Sequence, residues 1–432
     1  MSKIQNAAQL ATTPLRHDGL AIAEAGLAAI DTEAVVVRSL RVEDGHLCVG
    51  DITCSVTEAE RIFVVGVGKC SARAAYAVEQ ILGDKITDGI ALDVENPSAF
   101  AFKRIRVIQG THPMPTDQNV DAAKQIVTLL KSATERDVVL MIISGGGSTL
   151  LCLPDEDATC VEEDLIVKQL FAAGATIQEL NTIRKHMSLA RGGFLATYAY
   201  PAQVLAMVFS DVPGDDLQFI ASGPTVMDTT TIADADRILD RYDILRVCGL
   251  EHCGLMETPK DPKYFANVQN VIVCNNETAL RAMAAEASRL GYAADVCSSC
   301  LTGEAQIVGT SLTATLHRAS AKRAYLYGGE TTVTIRGRGK GGRNREVVLG
   351  ALAHIGEDEL VISLASDGRD YTDIAGAIAD SETAVHAKEQ RLDSEEALLD
   401  NASEDFFEAS GDAIMTGRTG SNVSDLLIAL KA

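Results

Sequence analysis

Two glycine-rich turns in the first half of the sequence place small residues beside groups that could bind an anion. VVGVGKCSARAA (64–75) puts Gly66 and Gly68 before Lys69, and ISGGGST (143–149) contains three consecutive glycines. Successive backbone amides in such turns can cradle phosphate oxygens, and the lysine can add a point charge to a phosphate. Glycine also lets two elements pack closely, so a purely structural role is the alternative for both turns.

Carboxylates are concentrated in two other turns. SDVPGDD (210–216) contains three aspartates, and SDGRDYTD (366–373) contains three more. Clustered carboxylates after a strand can hold Mg²⁺ or accept a proton, whereas capping of the next helix would use only one of them. The two turns therefore predict acid–base or metal chemistry.

The segment RGRGKGGRNRE (336–346) contains five basic residues and four glycines. By itself it could be a solvated hairpin or an RNA-binding stretch. The chain has a net charge of −22 and the segment lacks interleaved aromatic residues, so we expect no nucleic-acid partner. Basic turns combined with acidic turns are what metal-assisted phosphoryl transfer needs.

The composition indicates an α/β enzyme of more than one domain. The chain has 432 residues, 47% of them hydrophobic, with 35 glycines and no tryptophan. The N-terminal segment has no uninterrupted apolar core, which predicts a cytoplasmic protein without a membrane partner. Ten cysteines are scattered along the chain, and Cys297 and Cys300 have a C-x-x-C spacing without a second pair. We expect reduced, buried thiols, with a structural zinc site as the minor alternative.

Apolar runs alternate with helical patterns in the first part of the chain, as a doubly wound parallel sheet requires. The strand-like runs are RIFVVGVG (61–68), DGIALDV (88–94), RIRVIQG (104–110), DVVLMIIS (137–144) and QVLAMVFS (203–210). The pattern breaks over 244–269 and then resumes. This predicts a larger, Rossmann-like N-terminal α/β domain (1–260) and a second α/β domain (261–432).

The sequence resembles the class II glycerate kinases, the glycerate 2-kinase family with a C-terminal MOFRL domain, over most of its length. Seven segments occur in the order expected for that family: GVGK (66–69), THPMP (111–115), ISGGGST (143–149), NTIRKHMS (181–188), SDVPGDD with IASGPT (210–225), GGETTV with GGRNRE (328–346), and SDGRDYTD with TGRTGSNVSDL (366–426). The resemblance implies two α/β domains with the active site in the interdomain cleft. It implies Mg²⁺-dependent transfer of the γ-phosphoryl group of ATP to the 2-hydroxyl of D-glycerate. For the oligomeric state, a homodimer is one alternative.

The resemblance also implies roles for individual residues. The expected catalytic residues are Lys69, Arg343 and Asp211. The expected metal ligands are Asp216, Glu330, Asp367 and Asp373. The expected ATP-binding residues are Gly66, Gly68, Ser144, Gly145, Gly146, Gly147, Ser148 and Asn344. The sequence departs from the family's usual residues at four positions, Pro213, Arg369, Tyr371 and Arg418. These departures affect the expected outline of the substrate pocket.

The segment NTIRKHMSLARGG (181–193) offers three cations for the carboxylate of glycerate, namely Arg184, Lys185 and Arg191. A guanidinium can bind a carboxylate through two parallel hydrogen bonds, so we favour Arg191 over Lys185 and keep Arg184 as a second candidate. His186 is expected to be a packed or capping residue rather than a catalytic base.

Two other functions compete with the kinase. An NAD(P)H-dependent hydroxypyruvate reductase would use GVGKCS (66–71) as its dinucleotide turn and Asp93 as its ribose-binding acid. A non-catalytic phosphosugar-binding regulator would use the serine–glycine turn of residues 144–148 alone. Neither alternative gives a task to the acidic turns, and the reductase also lacks an Arg/His pair set up for a 2-hydroxy acid.

Overall fold

The computed structural model of the chain describes residues 2–56, 59–97, 99–156 and 158–432. Its α-helices are α1 (Ala7–Leu10), α2 (Pro14–Ala29), α3 (Thr32–Ser39), α4 (Ser71–Leu82), α5 (Asp117–Lys131), α6 (Gly147–Leu150), α7 (Cys160–Ala172), α8 (Ile177–His186), α9 (Phe194–Ala199), α10 (Ile232–Arg241), α11 (Ile244–Cys248), α12 (Asn276–Arg289), α13 (Ala305–Leu316), α14 (Arg343–Leu352), α15 (Ser381–Gln390), α16 (Ser394–Leu399) and α17 (Ser403–Ser410). Its β-strands are β1 (Leu40–Glu43), β2 (His46–Val49), β3 (Ile52–Ser55), β4 (Arg61–Val67), β5 (Ile86–Asp93), β6 (Ile105–Gln109), β7 (Asp137–Ser144), β8 (Gln203–Phe209), β9 (Val268–Cys274), β10 (Ala293–Leu301), β11 (Arg323–Gly329), β12 (Glu359–Ala365), β13 (Gly376–Asp380), β14 (Ala413–Ile414) and β15 (Asp425–Lys431). None of the helices in this part of the chain is long and apolar enough to cross a membrane.

The chain divides into two compact units. The central unit is Thr32–Val273, and the terminal unit combines Met1–Asp31 with Cys274–Ala432. This division differs from the boundary expected near residue 260, because it falls at 273 and assigns the first 31 residues to the unit that contains the C-terminus.

A buried ion pair explains why the N-terminal segment belongs to the terminal unit. α2 packs against α12, and its Arg16 side chain is buried. The Nε and Nη2 atoms of Arg16 donate to the Asp380 carboxylate at 2.8 and 2.7 Å. These partners are 364 residues apart. Such a distant contact leaves no local signal in the sequence, so composition and periodicity could not place α2.

The central unit is built on a six-stranded sheet of order β6-β5-β4-β7-β8-β9. The pairs β4–β5, β5–β6, β4–β7 and β7–β8 are all parallel. Counted from β4, this is the 3-2-1-4-5-6 order of Rossmann-like folds, which confirms the predicted fold class. The strand order reverses between β4 and β7, and ligands of such sheets bind outside the carboxyl ends of those two strands.

A small antiparallel sheet of order β1-β2-β3 precedes the parallel one and was not expected. Each of its strands has four residues. Asp44 and Gly45, with φ of 48° and 76°, form the turn between β1 and β2. An Asp-Gly pair between short apolar segments is a hairpin signal, so this sheet could have been found from the sequence.

The terminal unit contains a mixed sheet of order β10-β11-β15-β12-β13-β14. β15 lies between β11 and β12 and is antiparallel to both. Its first residue, Asp425, is therefore opposite Gly329 at the end of β11 and Ala365 at the end of β12. The reversed strand brings a carboxylate to the edge where β11 and β12 end.

The cysteines differ from the expectation in one pair. A disulfide joins Cys152 and Cys160, so the prediction of reduced thiols is wrong for these two residues. Cys160 is the first residue of α7 and follows Thr159, which forms a capping box with Glu162. The Cα atoms of the two cysteines are 6.3 Å apart. Several of the other cysteines are buried free thiols, whereas Cys297 and Cys300 are exposed on β10.

Candidate active site

The turn after β4 packs directly on the turn after β7. Gly68 has a φ of +123°, and a Cβ atom added there would lie 2.0 Å from the Ser144 Oγ atom. Only glycine fits this approach. The Lys69 amide then donates to the Gly145 carbonyl at 3.0 Å, which fixes the lysine beside the second turn. Gly66 lies inside β4, opposite Ala91 and Ile142, so its backbone belongs to the sheet.

The three glycines after β7 allow side chains to approach the backbone. A Cβ atom at Gly145 would lie 1.8 Å from Asp211 Oδ2, and one at Gly146, where φ is +80°, would lie 2.8 Å from Lys69 Cγ. A Cβ atom at Gly147 would lie 2.5 Å from Ala221 Cβ. Glycine is thus required at these positions because neighbouring side chains pack closely on the turn. Two of these side chains are Asp211 and Lys69.

Three serine hydroxyl groups also lie near the end of β7. Ser148, in the short helix α6, has its Oγ atom 2.9 Å from the Ser222 Oγ atom. Ser222 has a φ of 58° and is buried at the end of a 3₁₀ turn. Ser144 is the buried last residue of β7, and its Oγ atom lies 3.5 Å from the Cys70 amide. The polar side chains are held by neighbouring turns.

Positive charge near this edge is not compensated. Lys69 is exposed, whereas Arg184 at the end of α8 is partly buried. Neither side chain has an ion-pair partner in the described part of the chain. Burial, and to a smaller extent repulsion from Lys69 and Arg184, lowers the pKa of His112 to about 4. His112 is therefore neutral near pH 7, and Lys69 and Arg184 remain as two cations available to an anion.

Arg191 is buried and already paired. Its Nη1 atom lies 2.5 Å from Glu163 Oε1 and its Nη2 atom lies 3.3 Å from Glu163 Oε2. The Nη1 atom also donates to the Arg184 carbonyl at 2.9 Å. These contacts do not support the preference for Arg191 as the carboxylate-binding residue, because its charge is used inside the protein. The bond to the Arg184 carbonyl holds the backbone at the end of α8.

The other basic residues of α8 are also internal. Lys185 is buried and pairs with the Asp228 carboxylate. His186 is fully buried, with Nδ1 2.8 Å from the Met256 carbonyl and Nε2 3.2 Å from Thr230 Oγ1. His186 is thus packed, as the sequence analysis predicted.

The terminal unit holds Arg343 in a different way. Arg343 begins α14, and its Nε and Nη2 atoms lie 2.5 and 3.0 Å from the Asp425 carboxylate. The Nη2 atom is also 3.1 Å from Glu330 Oε1. Burial raises the pKa of Asp425 to about 7, although its bond to Arg343 acts in the opposite direction. Arg343 is consequently a compensated cation at the edge where β11 and β12 end.

Asn344, the next residue, is buried within the same unit. Its amide and its Nδ2 atom donate to Asp370 Oδ1 at 3.2 and 3.3 Å, and its Oδ1 atom accepts from Ser363 at 2.5 Å. The Asp370 carboxylate therefore caps the first turn of α14, a role that the sequence analysis did not assign. Asn344 uses its polar atoms in the fold.

Comparison with known proteins agrees with this architecture. A domain of unknown function, DUF4147, matches residues 18–249, and the MOFRL family matches residues 323–425. A glycerate 2-kinase of Pyrococcus horikoshii is 34% identical over 96% of this chain and 97% of that protein. The chain belongs to the glycerate kinase family. A D-glycerate 2-kinase of Thermotoga maritima is 35% identical over 86% of this chain and 91% of that protein. The crystal structure of a Thermotoga maritima glycerate kinase has a TM-score of 0.85 at 30% identity, covering 96% of this chain and 99% of that chain.

The acidic residues predicted as metal ligands in this glycerate kinase are distributed over both units. Asp216 is exposed in the central unit, and its Oδ1 atom accepts from the Gln218 amide at 2.9 Å. The other three are in the terminal unit, where Glu330 pairs with Arg343 and Asp373 pairs with Arg369 at 2.8 Å. Asp367 Oδ1 accepts from the Arg369 amide at 3.0 Å.

Within the described ranges, no group of three or more His, Cys, Asp or Glu side chains is arranged to hold a metal ion. Mg²⁺ usually keeps several waters and is bound through one or two carboxylates together with substrate phosphates. Glu330 follows β11 and Asp367 follows β12, at the edge that also holds Asp425. These two carboxylates could contact an ion that arrives with a nucleotide.

Three groups at the two sheet edges were missed from the sequence. His112 lies in the quoted segment THPMP without an assigned role, and its position before a proline was the only local signal. Asp425 opens the apolar run DLLIALKA, and the local signal was that it is the single acidic residue of this run. Asp370 belongs to the acidic turn SDGRDYTD, but its capping of α14 depends on a contact between distant segments.

Proposed function

We propose that this member of the glycerate kinase family transfers the γ-phosphoryl group of ATP to the 2-hydroxyl of D-glycerate, giving ADP and 2-phospho-D-glycerate. The two relatives named as glycerate 2-kinases match most of the chain. The observation that carries the proposal is the pair of cations, Lys69 and Arg184, that have no ion pair in the described ranges and lie near the reversal point of a Rossmann-like sheet. On a chain with a net charge of −22, an anionic acid and an anionic nucleotide both need such a site.

Lys69 supplies charge to the transferring phosphoryl group. Phosphoryl transfer depends mainly on positioning and on neutralising charge that spreads over the phosphoryl oxygens. The Lys69 side chain rests on Gly146, so its path is fixed by the turn rather than by an ion pair. A charge that no protein carboxylate neutralises can act fully on the phosphoryl group.

Arg184 binds the carboxylate of glycerate. Burial, followed by repulsion from Arg191, lowers the pKa of Arg184, yet a guanidinium stays protonated near pH 7. A carboxylate placed against it would relieve that repulsion and form charge-assisted hydrogen bonds. The contact of Arg191 with the Arg184 carbonyl holds the backbone that carries this group.

Asp211 accepts the proton of the attacking hydroxyl. As the 2-hydroxyl oxygen forms its bond to the γ-phosphorus, the bond from that phosphorus to the β–γ bridging oxygen of ATP breaks, and ADP leaves with the electron pair. The hydroxyl proton passes to the Asp211 carboxylate, which packs against Gly145 beside Lys69. A carboxylate at the phosphate-binding turn is suited to this role in kinases.

Arg343 and the magnesium ion complete the proposal. Glu330 is half-exposed, so a phosphate oxygen could replace it on Arg343 while the buried Asp425 remains in place. Glu330 and Asp367 are the residues that would hold a Mg²⁺ ion arriving with ATP, and the ion would neutralise charge on the phosphates. A homodimer remains a prediction for sedimentation or scattering measurements.

The reductase alternative is weakened by the contacts of Asp93. Its Oδ2 atom accepts from the Ala72 amide at 2.8 Å, and its Oδ1 atom accepts from the Val94 and Glu95 amides at 2.6 and 3.3 Å. The residue is buried, so its oxygens are used by the fold instead of a ribose. Two relatives from Agrobacterium vitis nevertheless have hydroxypyruvate reductase in their names, so the reductase must be tested.

One set of incubations distinguishes the functions. The protein is given D-glycerate with MgATP, or hydroxypyruvate with NADH or NADPH, and both ADP formation and nicotinamide absorbance are followed. We expect ADP formation that depends on D-glycerate and no absorbance change. Oxidation of NADH without ADP formation would establish the reductase, and binding of ligands without either reaction would establish the regulator.

A further inference from the structure

The basic segment before α14 is arranged as an alternating strip. Arg336, Arg338 and Lys340 are exposed, whereas the glycines between and after them are partly buried. We call these three cations the cation strip. Alternation of this kind places the basic side chains on the solvent side and the glycines on the protein side.

The glycines pack against the backbone of the segment 400–403. A Cβ atom added to Gly337 would lie 2.3 Å from the Asp400 Cα atom, and one added to Gly339 would lie 2.6 Å from the Ala402 Cα atom. At Gly341 it would lie 2.6 Å from the Ser403 Oγ atom. Any side chain at these positions would push the segment away from the protein.

Hydrogen bonds fix the same segment at several points. Asn401 Oδ1 accepts from the Arg336 and Gly337 amides at 2.7 and 3.0 Å. The Arg338 amide donates to Asp400 Oδ1 at 3.0 Å, and the Lys340 carbonyl accepts from the Glu404 amide at 2.9 Å. The strip is therefore held in place by its backbone, which leaves its side chains available.

The cation strip forms no ion pair in the described ranges, although Arg336 acts electrostatically on Glu346 and Lys340 acts on Glu404. Arg343 and Arg345, which follow in the same segment, both form ion pairs. No ion pair involves the cation strip in the ranges that the structure describes, and Glu404 beside Lys340 already accepts from Arg345 at 2.9 Å. A chain with 60 acidic and 38 basic residues could readily have paired these cations.

We infer that the cation strip captures the polyphosphate of ATP and raises its association rate. The inference rests on the proposed function, because it takes ATP as the nucleotide. Three exposed cations without an ion pair in the described ranges offer positive charge on a chain whose net charge repels polyanions. Clustered charge opposite in sign to a ligand accelerates the encounter with that ligand. The chain leads from the strip directly to Arg343. A polyphosphate that meets the strip is thereby brought near that guanidinium.

The test compares two triple variants of equal charge. Arg336→Gln/Arg338→Gln/Lys340→Gln removes the strip, and Arg38→Gln/Arg318→Gln/Lys388→Gln removes three other exposed cations that have no ion pair in the described ranges. Binding of MgATP is measured by calorimetry, and association of a fluorescent ATP analogue by stopped flow, from low to high salt. At low ionic strength, we expect the strip variant to have an association rate constant and an affinity for MgATP that are each about tenfold lower than those of the control. Both differences should nearly disappear at high salt.

Equal MgATP binding by the two variants at every salt concentration would overturn the inference. Loss of binding to a single-stranded RNA oligonucleotide with unchanged MgATP binding would also overturn it and assign the strip to nucleic acid. If the parent protein does not bind MgATP, the proposed function fails as well, so the two failures are distinguishable. Arg338→Gln alone is the second variant should the triple variant not fold.

Discussion

Lys69 and Arg343 both follow glycine-rich turns near a sheet edge, but the protein treats their charges differently. Lys69 is exposed and has no ion-pair partner in the described ranges, and its side chain lies along Gly146. Arg343 is bonded to the buried Asp425 and to Glu330. A ligand therefore meets an available charge at Lys69, whereas at Arg343 it must compete with a carboxylate.

This difference teaches which cation should support catalysis alone and which should also support folding. Removing an unpaired surface charge leaves no partner behind, so stability should hardly change. Removing Arg343 leaves a buried carboxylate without its donor, and such a loss is destabilising.

The substitution Lys69→Met should abolish most of the activity without unfolding the protein. Loss of one cation from a phosphoryl-transfer site should lower kcat by about 10³-fold, equivalent to about 4 kcal/mol. Steady-state kinetics and thermal melting measure the two effects, with Lys124→Met on α5 as the control for an exposed lysine. A kcat within about threefold of the parent, with only KM for ATP raised, would reduce Lys69 to a ground-state phosphate contact.

The pair Arg184 and Arg191 repeats the comparison within one unit. Arg191→Gln leaves Glu163 buried without its guanidinium, so the free energy of unfolding should fall by about 3 kcal/mol. Arg184→Gln should leave stability nearly unchanged and raise KM for D-glycerate about 30-fold through the loss of a charge-assisted contact. Denaturant unfolding and glycerate titrations check both values. If Arg191→Gln folds normally and Arg184→Gln retains its KM, the roles are reversed.

The substitution Arg343→Met should destabilise the protein by about 2 kcal/mol as well as lower its activity. The cause is Asp425, which would remain buried without its main donor. The double variant Arg343→Met/Asp425→Asn removes the orphaned charge and should recover part of the stability but none of the activity. Unchanged denaturation midpoints for the single variant would show that the ion pair does not support the fold.

Asp93 should cause the smallest effect, and this effect depends on pH. Burial raises the pKa of Asp93 to about 6, although the bond from the Ala72 amide lowers it. A carboxyl group whose pKa is raised in the folded state stabilises the protein while protonated, and this contribution is lost as pH rises through about 4 to 6. From about pH 5 to 7 the parent should lose about 1 kcal/mol relative to Asp93→Asn.

The difference between the two unfolding curves, measured at several pH values, tests this prediction. The Asn variant serves as the reference that cannot titrate, and its overall stability is lower because one amide acceptor is lost. A difference that stays constant with pH would mean that the Asp93 carboxyl titrates alike in the folded and unfolded protein.

Local patterns were sufficient for strands β4 to β8 of the central sheet and for the glycine-rich turn after β7. The run DVVLMIIS becomes the fully buried β7, and the glycines after it lie against Lys69 and Asp211. The sequence could not decide between Arg184 and Arg191, because both are arginines in one segment and only the position of Glu163 distinguishes them. The membership of α2 in the terminal unit was equally hidden, since it depends on Arg16 and Asp380.

Phosphorus NMR of the reaction products tests the central claim most directly. The parent protein and Lys69→Met are each incubated with D-glycerate and MgATP under the same conditions, and the phosphate ester signals are resolved. We expect the parent to form ADP and 2-phosphoglycerate in equal amounts and the variant to form almost none. Formation of 3-phosphoglycerate, or equal product from the variant, would contradict this claim.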